Sequence, residues 1–249
     1  AINGASHFIE HLMFKGTKKH KTTLDISRTL DKIGAEYNAY TGKHLTGYYV
    51  KADSTHQKLS IDLLYDMLFH SVYEPAAMDR ERRVIMEEIN MYEDNPIMHV
   101  EDLLEQSLFE GSTLGWEIAG SHKTVGTMTR EDVIAFRDEY YVPSRMVIAV
   151  AGKVDRKIMS YLEKSFGRVK AKEQPEMFTP FEYKESKKNR VKIQYKDTQQ
   201  IQVALGFPSF GVDDKRNAAL KLLSIVLGGT MSSRLFVEVR EKRGLAYFI

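Results

Sequence analysis

Residues 5–17 read ASHFIEHLMFKGT, and residues 218–230 read AALKLLSIVLGGT. The first stretch predicts a helix over 4–15 that stops near Gly16, a residue suited to a C-cap. A shift of 213 positions places Ala5 on Ala218, Gly16 on Gly229 and Thr17 on Thr230. A three-residue gap then brings Gly34 onto Gly244. This weak repeat predicts a second unit built like the first, with Leu220, Leu223 and Ser224 where the first has His7, Glu10 and His11. Chance similarity between two amphipathic helices is the alternative. The repeat further predicts that the first unit's plan includes two strands before residue 1, matching residues 190–207.

Outward from that helix, Leu24, Ile26, Leu30 and Ile33 recur at helical spacing, and Gly34 stops the run. Residues 35–41 and 45–52 are rich in Tyr, Thr and Val and predict a hairpin turning at Gly42 and Lys43. Helices are expected over 55–72, 76–94 and 97–109, the second opening beside Pro75. Residues 111–127 are glycine-rich without a period and read as a loop. Thr129 and Asp132 form a capping pattern for a helix over 130–141. RMVIAVA at 145–151 predicts a buried strand, followed by a helix over 155–165. The charged, proline-containing stretch 171–188 reads as a linker. Strands over 190–197 and 200–207 and a helix over 213–227 then open a further unit. The order predicts an α+β layered fold in two domains, 1–170 and 189–249, the second cut short.

Composition narrows the function classes. Hydrophobic residues are 43% and charged residues 28% of the 249, which supports a globular core and excludes wholesale disorder. Lys and Arg number 36 against 34 Asp and Glu, and a net charge of +2 gives no electrostatic basis for nucleic-acid binding. Cysteine is absent, which removes disulfides, thiolate metal sites and cysteine catalysis. A transition-metal site must therefore use His, Asp or Glu. No stretch approaches the ~18 apolar residues of a membrane helix, and no signal peptide is visible. The chain opens on Ala1 rather than Met and ends within an apolar run at Ile249, so both ends are expected to be truncated.

The chemistry concentrates in His7-Phe8-Ile9-Glu10-His11. On a helix, His7 and His11 are i and i+4, so both rings project from one face and can share a tetrahedral cation. Glu10 lies beside that face, within reach of a water held by such a cation. Zinc brings the pKa of that water towards ~7, and a carboxylate can then relay its proton. Two solvated or core histidines are the bland alternative. A third ligand is needed, and RERRVIMEEINMYEDN at 80–95 offers it. Glu81, Ile85, Glu88 and Tyr92 form one helical stripe flanked by Val84 and Ile89, whereas Glu87 shares the side of Arg80, Arg83 and Met91. An acid amid apolar neighbours needs a partner, and a cation supplies one. Glu88 is therefore the expected ligand. Glu81 is either an acid supporting the ligands or facing substrate, or a plain surface carboxylate.

Taken together, HFIEHLMFKGT, GAEYNAYT, ERRVIMEEINMYEDNP and YYVPSRMVIAVAGKV resemble the pitrilysin/insulinase family of inverse-motif zinc peptidases over nearly the whole chain. The likeness is greatest to its short bacterial members and to the mitochondrial processing peptidase β subunit. The family's third ligand stands 77 positions after the second His, which again picks Glu88. An active-site acid seven positions earlier corresponds to Glu81. The family's NAxT strand corresponds to Asn38, Ala39, Tyr40 and Thr41, and along it, at Asn38, Ala39 and Tyr40, a peptide adds as an extra strand; an ordinary hairpin is the alternative. Arg240 and Tyr247 match a pair that holds the substrate carbonyl and developing oxyanion from the opposite half-shell. Without the family, Arg240 would be an unremarkable surface charge. LGWEIAG at 114–120 departs from the family's LGRPILG-like loop, so no role carries over there.

The resemblance implies a layered half-shell of sheet and helices, repeated as two homologous domains, in a chain of roughly 400 residues. It implies one Zn²⁺ per active chain, bound by His7, His11 and Glu88, with Glu10 as general base. Substrates would be peptides or unfolded polypeptides enclosed in a chamber formed by a homo- or heterodimer. A cytoplasmic or mitochondrial-matrix setting is implied, with no nucleic acid or membrane partner. The alternative function is a non-catalytic peptide-binding or scaffold subunit, although such scaffolds degrade the motif that is intact here.

Overall fold

The computed structural model describes residues 2–170, 181–183 and 191–249. The chain divides into two compact units, Ala1–Leu205 and Gly206–Ile249. The predicted linker falls largely outside the described residues. In the first unit the elements run α1 (Ala5–Met13), α2 (Thr23–Asp31), β1 (Glu36–Thr41), β2 (Thr46–Lys51), α3 (Gln57–His70), α4 (Pro75–Asp94), α5 (Pro96–Leu108), α6 (His122–Thr127), α7 (Arg130–Tyr140) and α8 (Arg156–Phe166). The class is α+β, rich in helix with a small sheet.

Helix α1 is the centre of the core. Phe8, Ile9, Leu12 and Met13 are fully buried against α4, α7 and the hairpin. Ile26 and Leu30 of α2, Leu63 and Met67 of α3, and Ile85 and Ile89 of α4 complete one apolar cluster. Burying each such side chain stabilises the fold by ~1.5–3 kcal/mol, so an α1 packed on every apolar side is a rigid platform.

Two devices fix where α1 begins and what crosses it. Gly4 precedes the helix at φ +87°, and Gly120 lies opposite at φ +83°. A methyl group on Gly4 would come within 2.6 Å of the Ala119 carbonyl oxygen, and one on Gly120 within 2.9 Å of the Asn3 carbonyl oxygen. The two backbones therefore touch directly, which only glycine permits. Arg82 of α4 lies 5.4 Å from the Phe8 ring centre and donates to the carbonyls of Val125 and Met128 at the end of α6. It closes α6 with a charge where the helix leaves carbonyls unpaired.

Asp66 of α3 is wholly buried. It accepts from Thr17 Oγ1, from His70 Nδ1 at 3.0 Å and from His20 Nδ1 at 3.3 Å. Burial alone would raise its pKa; these three hydrogen bonds outweigh that and hold it below the usual carboxylate value.

Strands β1 and β2 pair antiparallel, with Ala39 opposite Tyr48, Tyr40 opposite Gly47 and Thr41 opposite Thr46. The Gly42 amide donates to the Leu45 carbonyl at 2.9 Å, so hydrogen-bonded and non-hydrogen-bonded pairs alternate back from that turn. Ala39 and Thr41 are thus non-hydrogen-bonded positions, and Ala39 directs its amide and carbonyl to the outer edge of β1. No strand pairs with that edge among the described residues.

The capping signals hold up well. Thr129 and Asp132 form a capping box at α7, and Pro75 stands at the first turn of α4 behind Glu74, whose carboxylate accepts from the amides of Ala76 and Ala77. The stretch expected to be a featureless loop holds α6, started by a capping box of Ser121 and Thr124. The expected strands at 145–151, 190–197 and 200–207 are corrected: the described residues of these runs form no ladder, and Arg145 ends a short 3-10 turn, Pro143–Arg145. Val147 is 95% exposed and Tyr195 98% exposed. A buried strand needs a neighbour for its backbone donors and acceptors, and none lies alongside among the described residues. In the second unit, α9 (Asn217–Ser224) passes into a single π-helical turn, Ile225–Gly229, and a second such turn spans Phe236–Glu241.

Candidate metal centre

His7 and His11 stand one turn apart on α1, and Glu88 faces them from α4. His7 Nε2 is 3.2 Å from His11 Nε2, and Glu88 Oε2 lies 3.6 Å and 3.5 Å from the two nitrogens. These atoms form the one group of three or more such ligands found among the described residues. Bonds of about 2.0–2.1 Å meeting at tetrahedral angles put ligand atoms about 3.3–3.4 Å apart. The three observed edges bracket that value, and two imidazoles with one carboxylate are a donor set zinc accepts. The residues fit the ion.

Glu88 is at the rim of the apolar face of α4 rather than in its middle. Ile89 is buried, but Val84 is 51% exposed and the Glu88 side chain 25% exposed. Glu87 points to solvent with Arg80 and Arg83. A rim position lets Glu88 reach the histidines while leaving one side of the cluster open.

Glu81 is almost fully buried and bonds His11 and Lys15. Its Oε1 is 2.9 Å from His11 Nδ1, and its Oε2 is 2.6 Å from Lys15 Nζ. The plain-surface alternative for Glu81 does not apply. A carboxylate on Nδ1 turns Nε2 towards the other ligands and fixes the tautomer. Burial opposes charge on His11, yet the bonds to Glu81 and Glu88 prevail and push it up to about 9. The bond from His11 holds Glu88 below its ordinary value against burial. Burial and the charge of His11 press His7 down.

Glu10, on the same helix, accepts a hydrogen bond on Oε2 from Thr41 Oγ1 of β1. Asn38, Ala39 and Tyr40 precede it on the same strand, and Asn38 Oδ1 accepts from the outward Ala39 amide at 2.9 Å. In the second unit the Arg240 guanidinium lies 4.6 Å from the Tyr247 ring centre and 4.7 Å from that of Phe236, with Tyr247 82% exposed. Lys15 has no role in the sequence-based expectations, and Thr41, the last residue of the matched strand motif, has none towards Glu10.

Residues 1–122 match the insulinase family, peptidase family M16, and residues 127–249 match the M16 inactive domain. The chain belongs to the M16 peptidase family. It is similar to an uncharacterised zinc protease of Bacillus subtilis, 39% identical over all of this chain and 59% of that protein. An uncharacterised zinc protease of Streptomyces coelicolor is 40% identical, again over the whole chain and 55% of that protein. The chain thus spans somewhat more than half the length of these relatives. A protease from Helicobacter pylori has the same fold at a TM-score of 0.82 and 25% identity, over 98% of this chain and 60% of that one. The M16 inactive domain from Pseudomonas fluorescens, at 19% identity, shares the fold with a TM-score of 0.82. All four candidate metal-site residues, Glu10 included, fall in the segment that matches the insulinase family.

Proposed function

We propose that this chain is the zinc-bearing part of an M16 endopeptidase that hydrolyses peptides or unfolded polypeptides. The observation that carries the reading is the His7–His11–Glu88 triangle, with edges of 3.2–3.6 Å. His7, His11 and Glu88 would hold one zinc ion, which supplies Lewis acidity to a water and to the scissile carbonyl. Glu10 removes a proton from the attacking water and delivers it to the leaving amine. Glu81 and Lys15 keep His11 oriented.

The open edge of β1 offers the Ala39 amide and carbonyl to an extended peptide, so that main chain rather than side chain is read. Asn38 holds that amide until the peptide arrives, and Tyr40 flanks it. Arg240 and Tyr247 are assigned to the substrate carbonyl and developing oxyanion, acting from the second half-shell of the same chain or of a partner subunit. Domains over 1–170 and from 189 onward, joined by a linker, would supply the two halves.

The test is hydrolysis of an unstructured peptide by the full-length protein, with and without a chelator. Loss of cleavage with chelator and recovery with added zinc are expected. Cleavage that survives the chelator overturns the zinc mechanism.

A further inference from the structure

Glu10 is held in place from across the hairpin. Its Oε2 accepts from Thr41 Oγ1, a residue 31 positions away on β1. Thr41 Oγ1 is in turn 3.4 Å from Thr46 Oγ1 on β2. The two threonines form a non-hydrogen-bonded pair of the hairpin, the kind in which opposed side chains come closest. Behind them lie two half-buried phenols, with Tyr48 Oη 3.5 Å from Tyr141 Oη. Burial pushes both phenols up, and Tyr141 also bonds Thr46. Both phenols are therefore proton donors throughout the neutral range.

The protons run in one direction. A threonine hydroxyl carries a single hydrogen, and an ionised carboxylate only accepts. Thr41 spends its hydrogen on Glu10, so Thr46 must be the donor in the Thr41–Thr46 contact. Among the described residues no side chain binds Glu10 Oε1. One carboxylate oxygen is anchored and the other is free.

We propose that Thr41, backed by Thr46, is the positioning residue of the general base. It fixes the Glu10 carboxylate by Oε2 so that Oε1 receives the proton of the attacking water and returns it to the leaving amine. Oε2 keeps its bond to Thr41 throughout. The strand that would hold substrate along Asn38–Tyr40 ends in the residue that sets the base, so a shift of β1 moves both together. This inference rests on the peptidase reading for Glu10.

The experiment compares Thr41→Val, Thr41→Ser and Thr46→Val with the wild-type full-length protein by steady-state kinetics, zinc content and crystal structure. Thr41→Val keeps the shape and removes the donor. Its kcat should fall about ten- to hundredfold, with KM and zinc content unchanged, as expected for a misplaced reacting group. Its crystal structure should show the Glu10 carboxylate turned from its wild-type position. Thr41→Ser restores the donor and should recover most of kcat. Unchanged kcat and an unmoved Glu10 in Thr41→Val overturn the inference. Should Thr41→Val lose zinc or fold, Thr46→Val decides, with a severalfold fall in kcat expected and an unchanged kcat overturning it. A wild-type protein that shows no chelator-sensitive cleavage fails the peptidase reading instead. The Glu10 position in the Thr41→Val crystal still tests the anchor in that case.

Discussion

Glu87 and Glu88 are neighbours in sequence, yet only Glu88 reaches the two imidazoles, at 3.5 and 3.6 Å. Glu88→Gln is therefore expected to weaken zinc binding strongly, whereas Glu87→Gln leaves it near wild type. Metal titration of the two variants checks this, and equal effects refute the assignment. Glu81→Gln should lower zinc affinity about 10–100-fold, because it loosens the partner of His11 without removing a ligand. Glu10→Gln should keep zinc and reduce turnover about 10²–10⁴-fold, since an amide cannot take the water's proton. Zinc lost together with activity would give Glu10 a structural role. The pair His7 and His11 was legible because helical spacing is local, and Glu88 because a stripe and a family spacing agreed. Lys15 and the bond from Thr41 to Glu10 were not: Thr41 was matched only as part of the substrate strand, and it meets Glu10 only after that strand has been folded onto a helix, a contact no local period encodes.

At the scale of elements, Arg82 joins α4, α1 and α6. Arg82→Ala is expected to destabilise by about 2–3 kcal/mol, because it uncovers the carbonyls of Val125 and Met128 and strips the cation from Phe8. Thermal unfolding measures this. The Asp66 carboxylate has a folded pKa below its unfolded value near 4. Its contribution is thus present above that unfolded value and is lost as pH falls through the folded one. Asp66→Asn should cost about 2 kcal/mol at neutral pH, and the gap from wild type should close between roughly pH 5 and 3. Denaturant melts across that range would show it, and a gap independent of pH would deny Asp66 its charge. Helix starts were readable because their caps are written within four residues, as at Thr129 and Asp132. The described parts of the expected strands 145–151, 190–197 and 200–207 form no ladder because an apolar run states what a segment would bury, not whether a neighbour lies beside it.

For the molecule as a whole, the first unit leaves Val191, Ile193, Tyr195, Ile201, Val203 and Leu205 exposed, each by at least 74%. An apolar row of this kind binds dyes or other chains when uncovered. Residues 1–249 expressed alone should therefore enhance the fluorescence of an anilinonaphthalene dye or self-associate, and Tyr195→Asp with Leu205→Asp should reduce both. Unchanged dye binding in the double variant would place the sticky surface elsewhere. The contact of Gly4 with Gly120 carries a different consequence, one for descent rather than for folding. A methyl group at either position strikes main chain, not a side chain that could shrink in exchange. Neither position can compensate for a change in the other, so lineages cannot cross from this pair by two small steps. The opening turn of the histidine helix and the 119–120 bend are expected to stay locked together through divergence, however freely the rest of the 114–120 loop is rewritten.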